Sequence, residues 1–203
     1  MEEVKKFRTA KDQLKDDLRL TILEHARSLL IEEGIQQFSM RKLANAAECS
    51  PGTLYVYFKN REQILGQLVE DAFDELWREL TAIERSASDP LQTLRDLLYA
   101  YAKFGLNHQD HYQFAFMIQR PDREGSYRPH KAFDVLVEAV EACVAAREFS
   151  SGDARLISQS LWVGMHGLTS ALIMLPRFPW GHQPAFIRHH IEVLIRGHQG
   201  EQS

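Results

Sequence analysis

The residues best suited to chemistry fall within positions 38–58, in the run FSMRKLANAAECSPGTLYVYF. Helical spacing divides it into two short helices, 40–47 and 51–58, with Ser39 and Ser50 standing ahead of them as cap candidates. Leu43, Ala44 and Ala47 share the side that must pack inward, Cys49 is a small hydrophobe at the turn, and Leu54 and Phe58 anchor the second helix. The opposite face carries Ser50, Thr53, Tyr55, Tyr57 and Lys59. Hydroxyls, phenols and a cation donate to phosphate oxygens and can reach base edges. Ser50, Pro51 and Gly52 open the second helix, whose first N–H groups face outward, and Gly52 lets a sugar-phosphate backbone come close. The local cations are Arg41, Lys42, Lys59 and Arg61, against Glu48 and, just beyond, Glu62. A mildly positive face therefore sits in a chain of formal net charge −4.

Other candidate chemistry is weaker. Nine histidines suggest a metal, but His108 and His111, or His189 and His190, are joined by no Cys, His or carboxylate at ligand spacing, so no metal or cofactor is expected. Cys49 and Cys143 cannot build a disulfide framework, and neither has cations close in sequence to activate its thiol. There is no Walker loop, dinucleotide fingerprint, nucleophile elbow or His-Glu-x-x-His run, which argues against an enzyme. An all-helical catalyst using the His-rich second part of the chain is the competing class. Tyr101, Phe104, His108, Tyr112, Phe116, Met117, Trp162, Met165 and His166 are either core or the lining of a ligand pocket, with His108 and His166 as its polar members. A planar or apolar small molecule suits such a lining.

The elements that must hold these residues are helices throughout. The 203 residues, 44% of them apolar, suffice for a real core, and sustained period-2 alternation and Asn-Gly or Asp-Gly turns are missing. The fold expected is all-α with about nine helices. A first helix carries Leu18, Ile22, Ala26, Leu29 and Leu30 and stops at Gly34. Asn60 with Gln63 starts a helix after the two short ones, and Asp89-Pro90 starts the next. The stretch 121–129 is a loop, and the helix 153–175 is apolar nearly all round. A loop over 177–184 precedes the last helix, 185–196. The expected division is 1–60 and 61–203. Residues 1–17 either lengthen the first helix or act as a basic arm on DNA. The N-terminus lacks the apolar core of a signal peptide and no run is long enough to span a bilayer, so a cytoplasmic protein without membrane contact is expected.

Residues 22–65, and above all SPGTLYVYFKNRE, resemble the DNA-binding domain of the TetR family of transcriptional regulators. The resemblance implies a three-helix helix-turn-helix domain followed by a larger ligand-binding and dimerisation domain. It implies a repressor released from operator DNA by a small-molecule effector, with an architectural or activator protein lacking an effector as the alternative. It also implies DNA contacts from Thr53, Tyr55, Tyr57 and Lys59, and from Ser39, Arg41 and Lys42 toward the backbone. The sequence departs from the family at Glu48, where glycine is usual in the turn, at a cost of about 1 kcal/mol if φ is positive. Further on, LWVGMHGL at 161–168 is similar to the Trp…His-Gly signature of one TetR C-terminal subfamily. That implies a homodimer through the last two long helices, with Gly164, Gly167, Ser170 and Ala171 allowing close approach. Recognition helices of such a dimer sit about 34 Å apart, one duplex turn.

Overall fold

A computed structural model describes residues 10–117, 130–150 and 152–199. Residues 1–9 of the N-terminal extension, Ile118 and the loop at 121–129 lie outside the described residues. Nine helices are present among the described residues: α1 Ala10–Glu33, α2 Met40–Ala46, α3 Pro51–Tyr57, α4 Arg61–Thr81, α5 Pro90–Asn107, α6 Gln109–Met117, α7 Lys131–Ala145, α8 Ala154–Met174 and α9 Gln183–Arg196. None of them is long and apolar enough to cross a membrane.

Local chemistry sets most helix ends. The Ser39 and Ser50 hydroxyls accept from the backbone N–H of Lys42 (3.3 Å) and Thr53 (3.0 Å). Asn60 accepts from Gln63 N–H at 2.9 Å, while the Gln63 side chain accepts from Lys59 N–H at 2.7 Å. Asp89 and Asp153 cap α5 and α8. Two further caps are imidazoles: Nδ1 of His130 accepts from Ala132 N–H and Nδ1 of His182 from Ala185 N–H. His182, expected in a loop, thus starts α9. Gly34 ends α1 with φ 78°, and Glu48 adopts φ 49° in the turn after α2. Residues 10–17 belong to α1, so this part of the extension lengthens the first helix.

The chain divides into two compact units, one up to Val69 and one from Glu70, with the division inside α4 rather than ahead of it. In the first, Ile22, Ala26, Leu43, Ala44, Leu54 and Phe58 are buried together with Ile64 and Leu68 of α4. Arg19 ties α1 to α4 through Gln67 at 2.7 Å, and its guanidinium lies 5.1 Å from the Phe58 ring centre. These contacts explain why the beginning of α4 joins the first unit. In the second unit α5 and α8 pack closely enough that a methyl group on Gly105 would lie 2.4 Å from Thr169 Cγ2. Gly164 is used within the chain: a methyl there would lie 2.7 Å from Leu194 of α9. Gly167 has open space above it.

Candidate functional site

In the first unit, α3 is seated by Leu54, fully buried, and by Phe58 directly after it. Its other side is open. Ser50, Pro51, Gly52, Tyr55 and Lys59 are exposed, and Thr53 and Tyr57 are half-buried. Ser50 Oγ lies 2.8 Å from Thr53 Oγ1, so both hydroxyls are oriented by the cap. From α2, Arg41 and Lys42 are exposed and Ser39 is half-buried. The structure thus brings together Ser39, Arg41, Lys42, Ser50, Pro51, Gly52, Thr53, Tyr55, Tyr57 and Lys59 on the α2–α3 pair.

Two of the four local cations are already engaged. Lys42 Nζ pairs with Glu33 Oε2 at 2.5 Å. The Arg61 guanidinium donates to the Ile35 carbonyl and covers the Phe38 ring at 5.8 Å, so it braces the segment after α1. One residue of the face was missed by sequence reasoning. Val56 is 76% exposed, an apolar side chain between two tyrosines. The available signal was its place four residues after Gly52, one helical turn along the same ridge.

In the second unit, Tyr101, Tyr112, Phe116, Trp162 and His166 form one aromatic cluster. Tyr112 meets Phe116 at 4.7 Å and stacks on His166 at 5.6 Å; Trp162 also stacks on His166, at 5.7 Å. Tyr112 Oη lies 2.6 Å from His166 Nδ1. Burial raises the Tyr112 phenol and lowers His166, so a protonated phenol faces a neutral imidazole, and the phenol also lies within donating distance, 3.2 Å, of the His166 carbonyl. Tyr101, also pushed well above the ordinary phenol range by burial, lies 3.4 Å from Tyr112 Oη.

Phe104 and His108 make other ring and ion-pair contacts. Phe104 is fully buried beneath His108 and His111, and His108 reaches Glu79 at 3.1 Å near the surface. Met165 is buried in the core of the unit, and Met117 ends α6. Sequence reasoning missed Phe73, which meets Phe116 edge-on at 5.2 Å and carries the stacked His130 ring at 5.4 Å. His130 Nε2 faces Asp74 Oδ1 at 3.4 Å, and Lys131 Nζ reaches the same oxygen at 2.8 Å. Lys131 holds the Asp74 carboxyl below its ordinary range, while burial lowers His130. These pairings join residues more than forty positions apart, beyond the reach of any helical period.

Among the described residues, no group of three or more His, Cys, Asp or Glu is placed to hold a metal ion. The Cys143 thiol is buried and pushed up to about 11, first by desolvation and then by Glu148. It is a core group rather than a nucleophile.

Comparison with known proteins adds an independent line. Residues 22–68 match the family model described as bacterial regulatory proteins, tetR family, and residues 94–194 match one described as tetracyclin repressor-like, C-terminal domain. An HTH-type transcriptional regulator of Haemophilus influenzae is 41% identical over 61 residues, 30% of this chain and 33% of the relative. The fatty acid metabolism regulator protein of Bacillus subtilis is 33% identical over 76 residues, 34% of this chain and 39% of the relative. The matches therefore span well under half the length of these relatives. A solved structure of a protein of unknown function from Rhodococcus sp. RHA1 superposes with a TM-score of 0.74 at 22% identity, covering 98% of this chain and all of the other. At that identity the likeness concerns the fold.

Proposed function

Since the chain belongs to the TetR family of bacterial regulatory proteins, we propose that it is a sequence-specific DNA-binding transcriptional regulator, a repressor released from its operator by a small molecule. The observation that carries this reading is the α2–α3 pair: two capped helices on a buried apolar base, with hydroxyls, phenols and cations on their open side. Thr53, Tyr55, Tyr57 and Lys59 contact phosphates or base edges, Ser50, Pro51 and Gly52 let the duplex approach, and Ser39, Arg41 and Lys42 meet the backbone. Lys42 must exchange Glu33 for a phosphate to do so.

The effector binds in the second unit at the aromatic cluster, where Tyr101, Tyr112, Phe116 and Trp162 surround one neutral imidazole, His166. A homodimer forms through α8 and α9. Leu156, Val163 and Met174 are exposed along α8, as is Val193 on α9, and Gly167 leaves room for a second helix. Gly164, occupied by Leu194, plays its part inside each protomer. Coupling is reciprocal: the effector weakens DNA binding and DNA weakens effector binding by the same factor.

Fluorescence anisotropy of the purified chain on the intergenic DNA upstream of its own gene, against a scrambled duplex of equal composition, tests this. Tighter binding to the upstream duplex, falling steeply with salt, supports it. Absence of binding to any duplex at low salt refutes it.

A further inference from the structure

We propose that Val56 reads a thymine methyl group in each operator half-site. The inference rests on the α2–α3 face being the DNA face and goes further, assigning the apolar part of its readout. An exposed valine by itself carries little meaning; the position of this one does. At about 100° per residue around the helix, with buried Leu54 taken as pointing inward, Gly52 and Val56 both lie within about 20° of directly outward. Tyr55 and Thr53 fall about 100° to either side, on the flanks. The exposures agree: Leu54 0%, Tyr55 53% and Val56 76%, with Thr53 half-buried. Gly52 contributes no side chain to that ridge, so Val56 stands alone at its crest.

A helix entering the major groove with this face presents its crest to the groove floor and its flanks to the two phosphate walls. The flanks are hydroxylic, as phosphate contacts require. The crest is a branched hydrocarbon with neither donor nor acceptor. Seated on an amino, carbonyl or ring-nitrogen edge, it would strip water from a polar group and return no hydrogen bond. The 5-methyl group of thymine is the apolar feature of the major-groove edge, and valine matches it in size and polarity.

The test begins with duplexes selected by the full-length chain from a randomised pool. Each thymine of the selected half-site is then replaced singly by uracil, which removes only the methyl group. One replacement should weaken binding about fourfold, the worth of one buried methyl. The same replacement should have no effect on Val56→Ala, a change at an exposed position whose folding circular dichroism confirms. Uracil tolerated everywhere by the parent chain, or an equal loss in Val56→Ala, overturns the assignment while leaving the DNA-binding reading standing. A pool that yields no enriched sequence overturns both.

Discussion

Gly66→Ala and Gly105→Ala make the same chemical change inside two helices, and the packing around them gives it opposite signs. On α4, nothing lies within 4 Å of a methyl added to Gly66. Only the backbone term operates there, and alanine should stabilise by about 0.5–1 kcal/mol. On α5, the new methyl at Gly105 would lie 2.4 Å from Thr169 Cγ2 and 2.8 Å from Tyr112 Cδ2. Neither neighbour yields easily. Thr169 is fully buried, with its hydroxyl donating to the Met165 carbonyl at 2.8 Å, and Tyr112 is 1% exposed and tied to His166. Overpacking of this kind costs about 1–3 kcal/mol, which outweighs the propensity gain of about 1 kcal/mol. Disturbing the Tyr112 hydrogen bond adds about 1 kcal/mol. Gly105→Ala should therefore fall about 1–3 kcal/mol below the parent and Gly66→Ala rise above it. Urea unfolding followed by circular dichroism, at one fixed protein concentration so that self-association does not intervene, measures both midpoints. Equal or higher stability for Gly105→Ala, with an unchanged slope, would refute the close α5–α8 packing on which the aromatic cluster is built.

Three other perturbations have defined outcomes. Glu33→Gln releases Lys42 from its ion pair; stability should hardly change, while duplex affinity at low salt should rise, because no ion pair has to be broken before Lys42 reaches its phosphate. An unchanged affinity would mean that Lys42 meets no phosphate. Burial lowers both His130 and His166, so the unfolded chain takes up those protons first. Their contribution is complete above about pH 6.5 and is lost as pH falls through their folded values. Asp74 and Glu192, held low by Lys131 and Arg95, add stability that is lost at more acid pH, as pH falls through their own folded values. Urea midpoints should decline in two stages, and a flat profile between pH 7 and 5 would contradict the first. Maleimide should label native protein at half-buried Cys49 and reach Cys143 only after unfolding, as read by peptide mass; rapid native labelling of Cys143 would show that its site is open.

What the sequence disclosed is what local chemistry decides. Ser39, Ser50 and Asp89 each stand one residue ahead of the helix they cap, and the helix-turn-helix layout follows from the spacing of the two serines; Asp153, expected inside its helix, caps it instead. The positive φ of Glu48 agrees with what the resemblance implied, since glycine is usual at that place in the turn. Long-range pairings were not legible. Lys42 looks free until α1 places Glu33 beside it, and Arg61 counts toward the local positive charge until the Phe38 ring and the Ile35 carbonyl are seen to engage it. Histidine caps were missed because an imidazole accepts a hydrogen bond only when neutral, a state set by its surroundings. The candidate pocket residues split for a similar reason. Periodicity puts Phe104, His108, Tyr112 and Phe116 on apolar helices, but contact with α8 selects which of them meet His166.

The most direct test of the account is the salt dependence of duplex binding for the parent chain and for Lys59→Ala, on one sequence selected by the parent. Lys59 is exposed and lies just beyond the end of α3, so its removal should leave the fold intact. If the α2–α3 face meets the phosphate backbone, Lys59→Ala lowers affinity and reduces the slope of log K against log salt by about 0.9, one phosphate contact. An unchanged affinity and slope would place the DNA on some other surface of the molecule.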